Sequence, residues 1–263
     1  MANFHVLVGS GDRVDHPTIR KIGVADLVTS LQEGWDDFIQ RPSHYVFLCL
    51  IYPLVGLVLA MWTSGYNALP VLYPLMSGFA LVGPFAAIGL YEISRRREAG
   101  LDTSWRHAFE VLRSPAIPSI IVVGVGLLLL FYAWLATAET LYQNLFGLSA
   151  PSSLWGFLNQ VFTTSEGWTL IIWGNLLGFL FALVVLCTTV IAFPLLIDRD
   201  VGVTAAVVTS WRAVAANPVP MALWGLIVAV GLLLGSIPLF IGLAIAMPVF
   251  GHATWHLYKK VIV

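Results

Sequence analysis

From Ala116 to Thr137 the chain reads AIPSIIVVGVGLLLLFYAWLAT, without a single charged side chain. A bilayer hydrocarbon core about 30 Å thick takes about 20 apolar residues of helix to cross. Within lipid the backbone must satisfy its own hydrogen bonds, and a helix does so inside one segment. The run therefore predicts a membrane-spanning helix, and its length is the measure for the rest of the chain. Comparable runs occupy 44–62, 69–91 and 168–197, and the stretch 219–257 has about the length of two. Turn-forming residues, TSGYNALP at 63–70 and GSIP at 235–238, fall between successive runs.

Composition agrees with this reading. The chain is 59% hydrophobic and 10% charged, against about 25% charged in a soluble globular domain. The expected fold is all-α and polytopic, with six transmembrane helices arranged as three hairpins. Lys and Arg concentrate in short cytoplasmic loops, and all 13 of them fall before the first span, between the second and third, between the fourth and fifth, or after the sixth. With six spans this places both termini in the cytoplasm. Residues 1–22 hold no long apolar core followed by a small-residue cleavage site, so no cleavable signal is expected, and residues 1–24 read as a mobile cytoplasmic tail. Cys49 and Cys187 fall inside apolar runs and are expected to be small packing residues.

The basic loop EISRRREAGLDTSWRHAFEVLRSP, 92–115, has a pattern of its own. Trp105, Phe109 and Leu112 recur at helical steps of four and three, while Arg106, Glu110 and Arg113 recur at the same steps on another face. This predicts an amphipathic helix on the cytoplasmic membrane surface, with arginines at anionic lipid phosphates. ADLVTSLQEGWDDFIQRP, 25–42, repeats the pattern, with Leu27, Leu31, Trp35 and Phe38 on one face and Glu33, Asp36, Asp37 and Gln40 on another. A third version, VVTSWRAVAANP, precedes the fifth span and carries Trp211 and Arg212. Residues 25–263 thus read as one membrane domain of three units, about 25–91, 101–197 and 203–258, each an interfacial helix followed by a hairpin. Each unit has a proline late in its second span, Pro84, Pro194 or Pro248, where kinks are expected.

Chemistry-bearing residues are few. Within the spans the ionisable groups are His44, Glu92, His252 and His256, all near a span end, whereas an ion pathway calls for paired groups near mid-membrane. His252 and His256 stand four apart on one helix face, a spacing two metal or haem ligands can share. Two ligands alone make no site, and a position at the headgroups beside Lys259 and Lys260 is the expected one. Glu92 is expected to be neutralised by Arg95 and Arg96 on its own helix, and Arg95, Arg96 and Arg97 to anchor on anionic lipid or an acidic partner. The largest segment between spans on the opposite side, 138–168, has two acids and no base. Its SSLWGFLNQVF predicts a serine-capped helix lying flat on the leaflet, with Leu154, Phe157, Leu158, Val161 and Phe162 on one stripe. Trp35, Arg95, Arg96, Arg97, Trp105, Arg106, Trp155, Phe157, Trp211 and Arg212 are accordingly the candidates for contact with lipid or a partner. Glu92, His252 and His256 are the candidate polar site. No phosphate-binding glycine loop, zinc spacing or serine elbow occurs, so no catalytic, cofactor or metal residues are assigned. A net charge of −1 argues against nucleic acid.

Two stretches, IRKIGVADLVTSLQEGWDDFIQRPSHYVFLCLIYPLVG and SGFALVGPFAAIGLYEISRRREAG, resemble the bacterial integral membrane family known as domain of unknown function 2189. The resemblance implies a bacterial inner-membrane location and no established activity. Some members of that family carry the label cytochrome c oxidase subunit I. A haem-copper catalytic subunit needs about six histidines deep in its spans; three of the six here, His5, His16 and His107, lie outside them. The reading that results is a non-catalytic membrane protein that assists or stabilises another membrane complex, with a small transporter or flippase-like protein for apolar or lipid-like cargo as the alternative.

Overall fold

The structure, a computed structural model, describes residues 6–7, 17–40, 69–79, 83–148, 151, 153–237 and 241–263. The helices are α1 (Val24–Gln40), α2 (Leu69–Phe79), α3 (Gly83–Ala86), α4 (Ile88–Glu98), a 3-10 helix (Trp105–Arg113), α5 (Ile117–Phe146), α6 (Leu154–Thr163), α7 (Ser165–Thr189), α8 (Ala192–Asp198), α9 (Gly202–Ala216), α10 (Pro218–Ser236) and α11 (Leu243–Val261). Among the described residues there is no strand, only one antiparallel bridge between Ile19 and Ile262. The expected helical class holds. The first expected span, with Cys49, and most of the expected tail lie outside the described residues.

Three helical stretches among the described residues are long and apolar enough to cross a membrane: Ile117–Phe146, Ser165–Asp198 and Pro218–Ser236. The first continues nine residues past Thr137, for a length of about 45 Å at 1.5 Å per residue. The second holds a break at Val190 and Ile191. Pro194 has no N–H for the carbonyl of Val190, and the amide of Ile191 is taken instead by Ser210 Oγ at 3.2 Å. A second break, at Ala87, follows Pro84 by three residues, whereas Pro248 sits inside an unbroken α11. A break thus accompanies Pro194 and none accompanies Pro248, while the carbonyl that Pro84 leaves open belongs to residue 80, outside the described residues.

The chain divides into two compact units, one formed by Met1–Pro53, Gly83–Val125 and Leu186–Val263, the other by Leu54–Val82 and Gly126–Val185. In the first, α1 lies along α11. At its start the Asp26 carboxylate accepts from the Gly23 amide at 2.8 Å, one half of a capping box, the other half being closed to a glycine. Three sectors follow around the α1 wheel. Leu27, Ser30, Gly34, Asp37 and Phe38 are buried, Val24, Val28, Trp35 and Ile39 form an exposed apolar stripe, and Gln32, Asp36 and Gln40 lie on the remaining side. This corrects the expected two-faced helix. Trp35 does face outward with apolar neighbours, but Leu27 and Phe38 turn into the protein, and so does the charged Asp37. At the closest approach Gly34 faces the backbone of Ala253, with no room for a β-carbon between them.

The end of α4 explains the EAG of the basic loop. The Gly100 amide donates to Arg97 O at 3.0 Å and the Leu101 amide to Arg96 O at 2.9 Å, with Gly100 at φ +66°. This is the Schellman arrangement, in which a left-handed residue past the helix end closes two open carbonyls. The chain then turns into Trp105–Arg113, which is a 3-10 helix and not the expected α-helix. At three residues per turn, residues three apart eclipse, so the expected face of steps four and three is redistributed. Phe109 and Leu112 share an exposed row, while Val111 is buried and Ala108 lies against Gly89. The two TSWR copies also differ in setting. Residues 103–104 precede the 3-10 helix, whereas 209–212 lie within α9, with Thr209 and Ser210 buried and Trp211 and Arg212 exposed.

In the second unit Gly78 of α2 lies against Phe131 and Trp134 of α5, and Trp134 Nε1 donates to Pro74 O at 2.8 Å. Ser153 starts α6 with both of its oxygens: its carbonyl accepts from the Phe157 amide at 3.0 Å and its Oγ from the Gly156 amide at 3.0 Å, the latter being the expected serine cap. Phe157 sits beside the Tyr142 ring and Val161 is buried, while Trp155 and Phe162 point outward. The expected single apolar stripe of α6 is thus divided between an inner and an outer face. Cys187, in the first unit, is a buried free thiol.

Candidate functional site

The most concentrated polar chemistry lies in the first unit, where α1, α4 and α11 meet. Asp37 is 5% exposed. Its Oδ1 accepts from Arg97 at 2.7 Å, and its Oδ2 from Ser94 Oγ at 2.7 Å and from His256 Nε2 at 3.1 Å. An ionised carboxylate only accepts, so the Ser94 proton points at Asp37. His252 Nδ1, 2.7 Å from the same hydroxyl oxygen, is then the donor to Ser94. Burial pushes the Asp37 carboxyl up, but the His256 hydrogen bond, the neighbouring His252 and the Ser94 hydrogen bond outweigh it and hold the group below its ordinary value. The array extends outward through Lys260 to Glu33 and through Lys259 to Glu98 and Asp198. Tyr258 donates to Asp198 at 2.6 Å.

Sequence reasoning paired His252 with His256 correctly by helix face but expected both at the headgroups. His252 is fully buried, and both histidines point at α1 and α4. Asp37 and Ser94, the centre of the array, were missed. They lie 57 residues apart in sequence, and no local pattern relates them. The array ties three helices together and leaves no opening at Ser94, which is 0% exposed. Among the described residues no group of three or more His, Cys, Asp and Glu side chains is placed to hold a metal ion.

Glu92 belongs to a different cluster. Arg95 grips it through both oxygens, Nε at 2.8 Å and Nη2 at 2.7 Å, and Arg96 stands at 3.9 Å, which is the expected neutralisation. Arg96 also bonds Glu110 at 2.6 Å and Asp102 O at 2.8 Å, fastening the 3-10 helix to α4. Arg97 turns inward to Asp37, so the three consecutive arginines are engaged within the protein and not simply presented outward. His107 bridges Glu110 at 2.6 Å and Asp102 at 2.9 Å. Glu110 and then Asp102 raise its pKa above the ordinary 6.5. A raised folded pKa adds stability that is complete below the unfolded value and fades as pH rises through the folded one. His107→Gln is therefore expected to lower the thermal midpoint in detergent at pH 6 and to leave it unchanged at pH 9. An equal effect at both pH values would contradict the charged bridge.

Beside Glu92 opens a cleft of about 550 Å³, bounded by α4, the 3-10 helix, the start of α5 and the end of α8. Of the remaining candidate contacts, Trp35, Trp155, Trp211 and Arg212 are exposed and Phe157 is half-buried. Trp105 and Arg106 lie at the start of the 3-10 helix.

Long apolar helices with large side chains facing outward, and polar groups gathered at one end of α4 and α11, define an integral membrane protein. Residues 72–198 match the family model described as predicted integral membrane protein (DUF2189). The matched segment includes GPFAAIGLYEISRRREAG, and so contains α4 with its three arginines, the 3-10 helix and the cleft lining except Arg199 and Asp200. No curated protein and no solved structure matches the chain.

Proposed function

We propose that this chain is a non-catalytic membrane protein that packs against another membrane complex and stabilises it. In this reading it crosses the bacterial inner membrane six times as three hairpins, with its interfacial helices and both termini in the cytoplasm. The observation that carries the reading is a shallow groove along α5, lined by Ala136, Thr137, Thr140, Leu141 and Asn144. Small and hydroxylated residues on a membrane helix let a second helix approach closely and hydrogen-bond to it, a benefit that lipid chains do not offer. Support also comes from the polar array, whose groups are engaged in holding helices together.

The test is affinity purification of a tagged copy at native expression in mild detergent, with co-purifying proteins identified by mass spectrometry. A partner in fixed ratio is expected, and its loss on Ala136→Leu with Thr140→Leu would place it in the groove. A chain that always purifies alone would sink the reading. The breaks at Ala87 and at Val190–Ile191 favour a second reading, a transporter or flippase-like protein for apolar or lipid-like cargo, because interrupted helices often line transport sites. Accelerated lipid movement in vesicles carrying the purified chain would select that one.

A further inference from the structure

The cleft beside α4 stands at a defined depth. Its wall at Arg113–Ala116 immediately precedes the candidate span Ile117–Phe146, and its wall at Leu196–Asp198 ends the candidate span Ser165–Asp198. Two membrane helices therefore have their ends at one cleft, which puts it at the level of lipid headgroups whichever side of the membrane it faces. The exposed Phe109 and Leu112, on the 3-10 helix that forms one wall, suit the same boundary between water and lipid.

The charges of the cleft are unevenly committed. Glu92 is held by Arg95, Glu110 by Arg96 and His107, and Asp198 by Tyr258 and Lys259. Asp200 completes the acidic lining. On the basic side, Arg113 has no carboxylate within 4.0 Å among the described residues, and Arg199 reaches Asp198 only at 3.8 Å. Both are exposed, with guanidinium donors to spare. Arginine matches the geometry of phosphate oxygens, which accept its forked donors. The geometry points to a phospholipid headgroup site in this cleft, with the phosphate taken by Arg113 and Arg199 and the acyl chains lying along the outer faces of the adjoining spans.

The full chain, purified in detergent, is to be titrated with phosphatidylglycerol and with diacylglycerol of the same acyl chains, and bound lipid counted by native mass spectrometry. Wild type should hold phosphatidylglycerol and not diacylglycerol, and Arg113→Gln with Arg199→Gln should weaken that binding by about tenfold, as loss of charge-assisted bonds to phosphate requires. Both positions are exposed, so the doubly substituted chain is expected to fold, with an unchanged thermal midpoint as the check. Millimolar glycerol phosphate should leave the lipid in place; if it displaces the lipid and binds in its stead, a soluble phosphate ester occupies the same two-arginine site. Equal binding by the substituted chain, or diacylglycerol held as firmly as phosphatidylglycerol, overturns the assignment.

Discussion

Gly34→Leu should part α1 from α11 and destabilise the protein by about 3 kcal/mol, the upper part of the usual range for forcing atoms into a packed contact. The reason is geometric. A β-carbon at position 34 would stand 2.5 Å from the backbone nitrogen of Ala253, 2.6 Å from its β-carbon and 2.7 Å from its α-carbon. No rotamer change relieves a clash with backbone, so one helix must move. Ala253 adjoins His252 on α11, and a shift there also pulls His252 and His256 away from Ser94 and Asp37. Reversible unfolding in mixed micelles, followed by circular dichroism, measures the loss. Gly126→Ala is the matched control, since a β-carbon there meets nothing within 4 Å and alanine favours the helix. If Gly34→Leu were as stable as that control, the close approach of α1 and α11 would be wrong.

Asp37→Ala should cost about 3 kcal/mol by leaving Arg97, Ser94 and His256 without their shared acceptor. That figure lies at the low end for removing one partner of a buried pair, because the Arg97 side chain keeps 31% of its exposure and water can solvate part of it. Asp37→Asn should lose less, since the amide oxygen still accepts from Ser94 while the charge facing Arg97 is gone. The double substitution with Gly34→Leu should cost less than the two added together, because both lesions break the same helix contact. Additive losses would mean that the array and the glycine contact hold separate parts of the molecule.

The legibility of this chain divides along physical lines. The uncharged run at 116–137, the broad span at 168–197 and the serine before Leu154 were all readable, because each rests on local composition or on groups within a few residues. The pairing of Glu92 with Arg95 was readable for the same reason, being a contact one helical turn away. The helix type at 105–113 was not. Both helix types set residues three apart side by side, so the spacing of the apolar residues does not choose between them, and the segment's anchors lie outside it, namely Arg96 on Glu110 and Gly89 beneath Ala108. Asp37 was grouped with Glu33, Asp36 and Gln40 on one polar face because its sequence neighbours are polar too. What marks it as interior is a set of partners on α4 and α11.

By itself, then, the sequence determined that this protein lives in a membrane, that it is helical and roughly where its apolar helices run, because the transfer of apolar surface and the satisfaction of backbone hydrogen bonds depend on nearest neighbours along the chain. Only the tertiary structure decided which charges are interior. It seated Asp37 between Ser94, Arg97 and His256, buried His252, and left Arg113 and Arg199 open in a cleft at the ends of two spans. A charge is stabilised by whatever stands within a few ångströms of it, and chain distance carries no record of that.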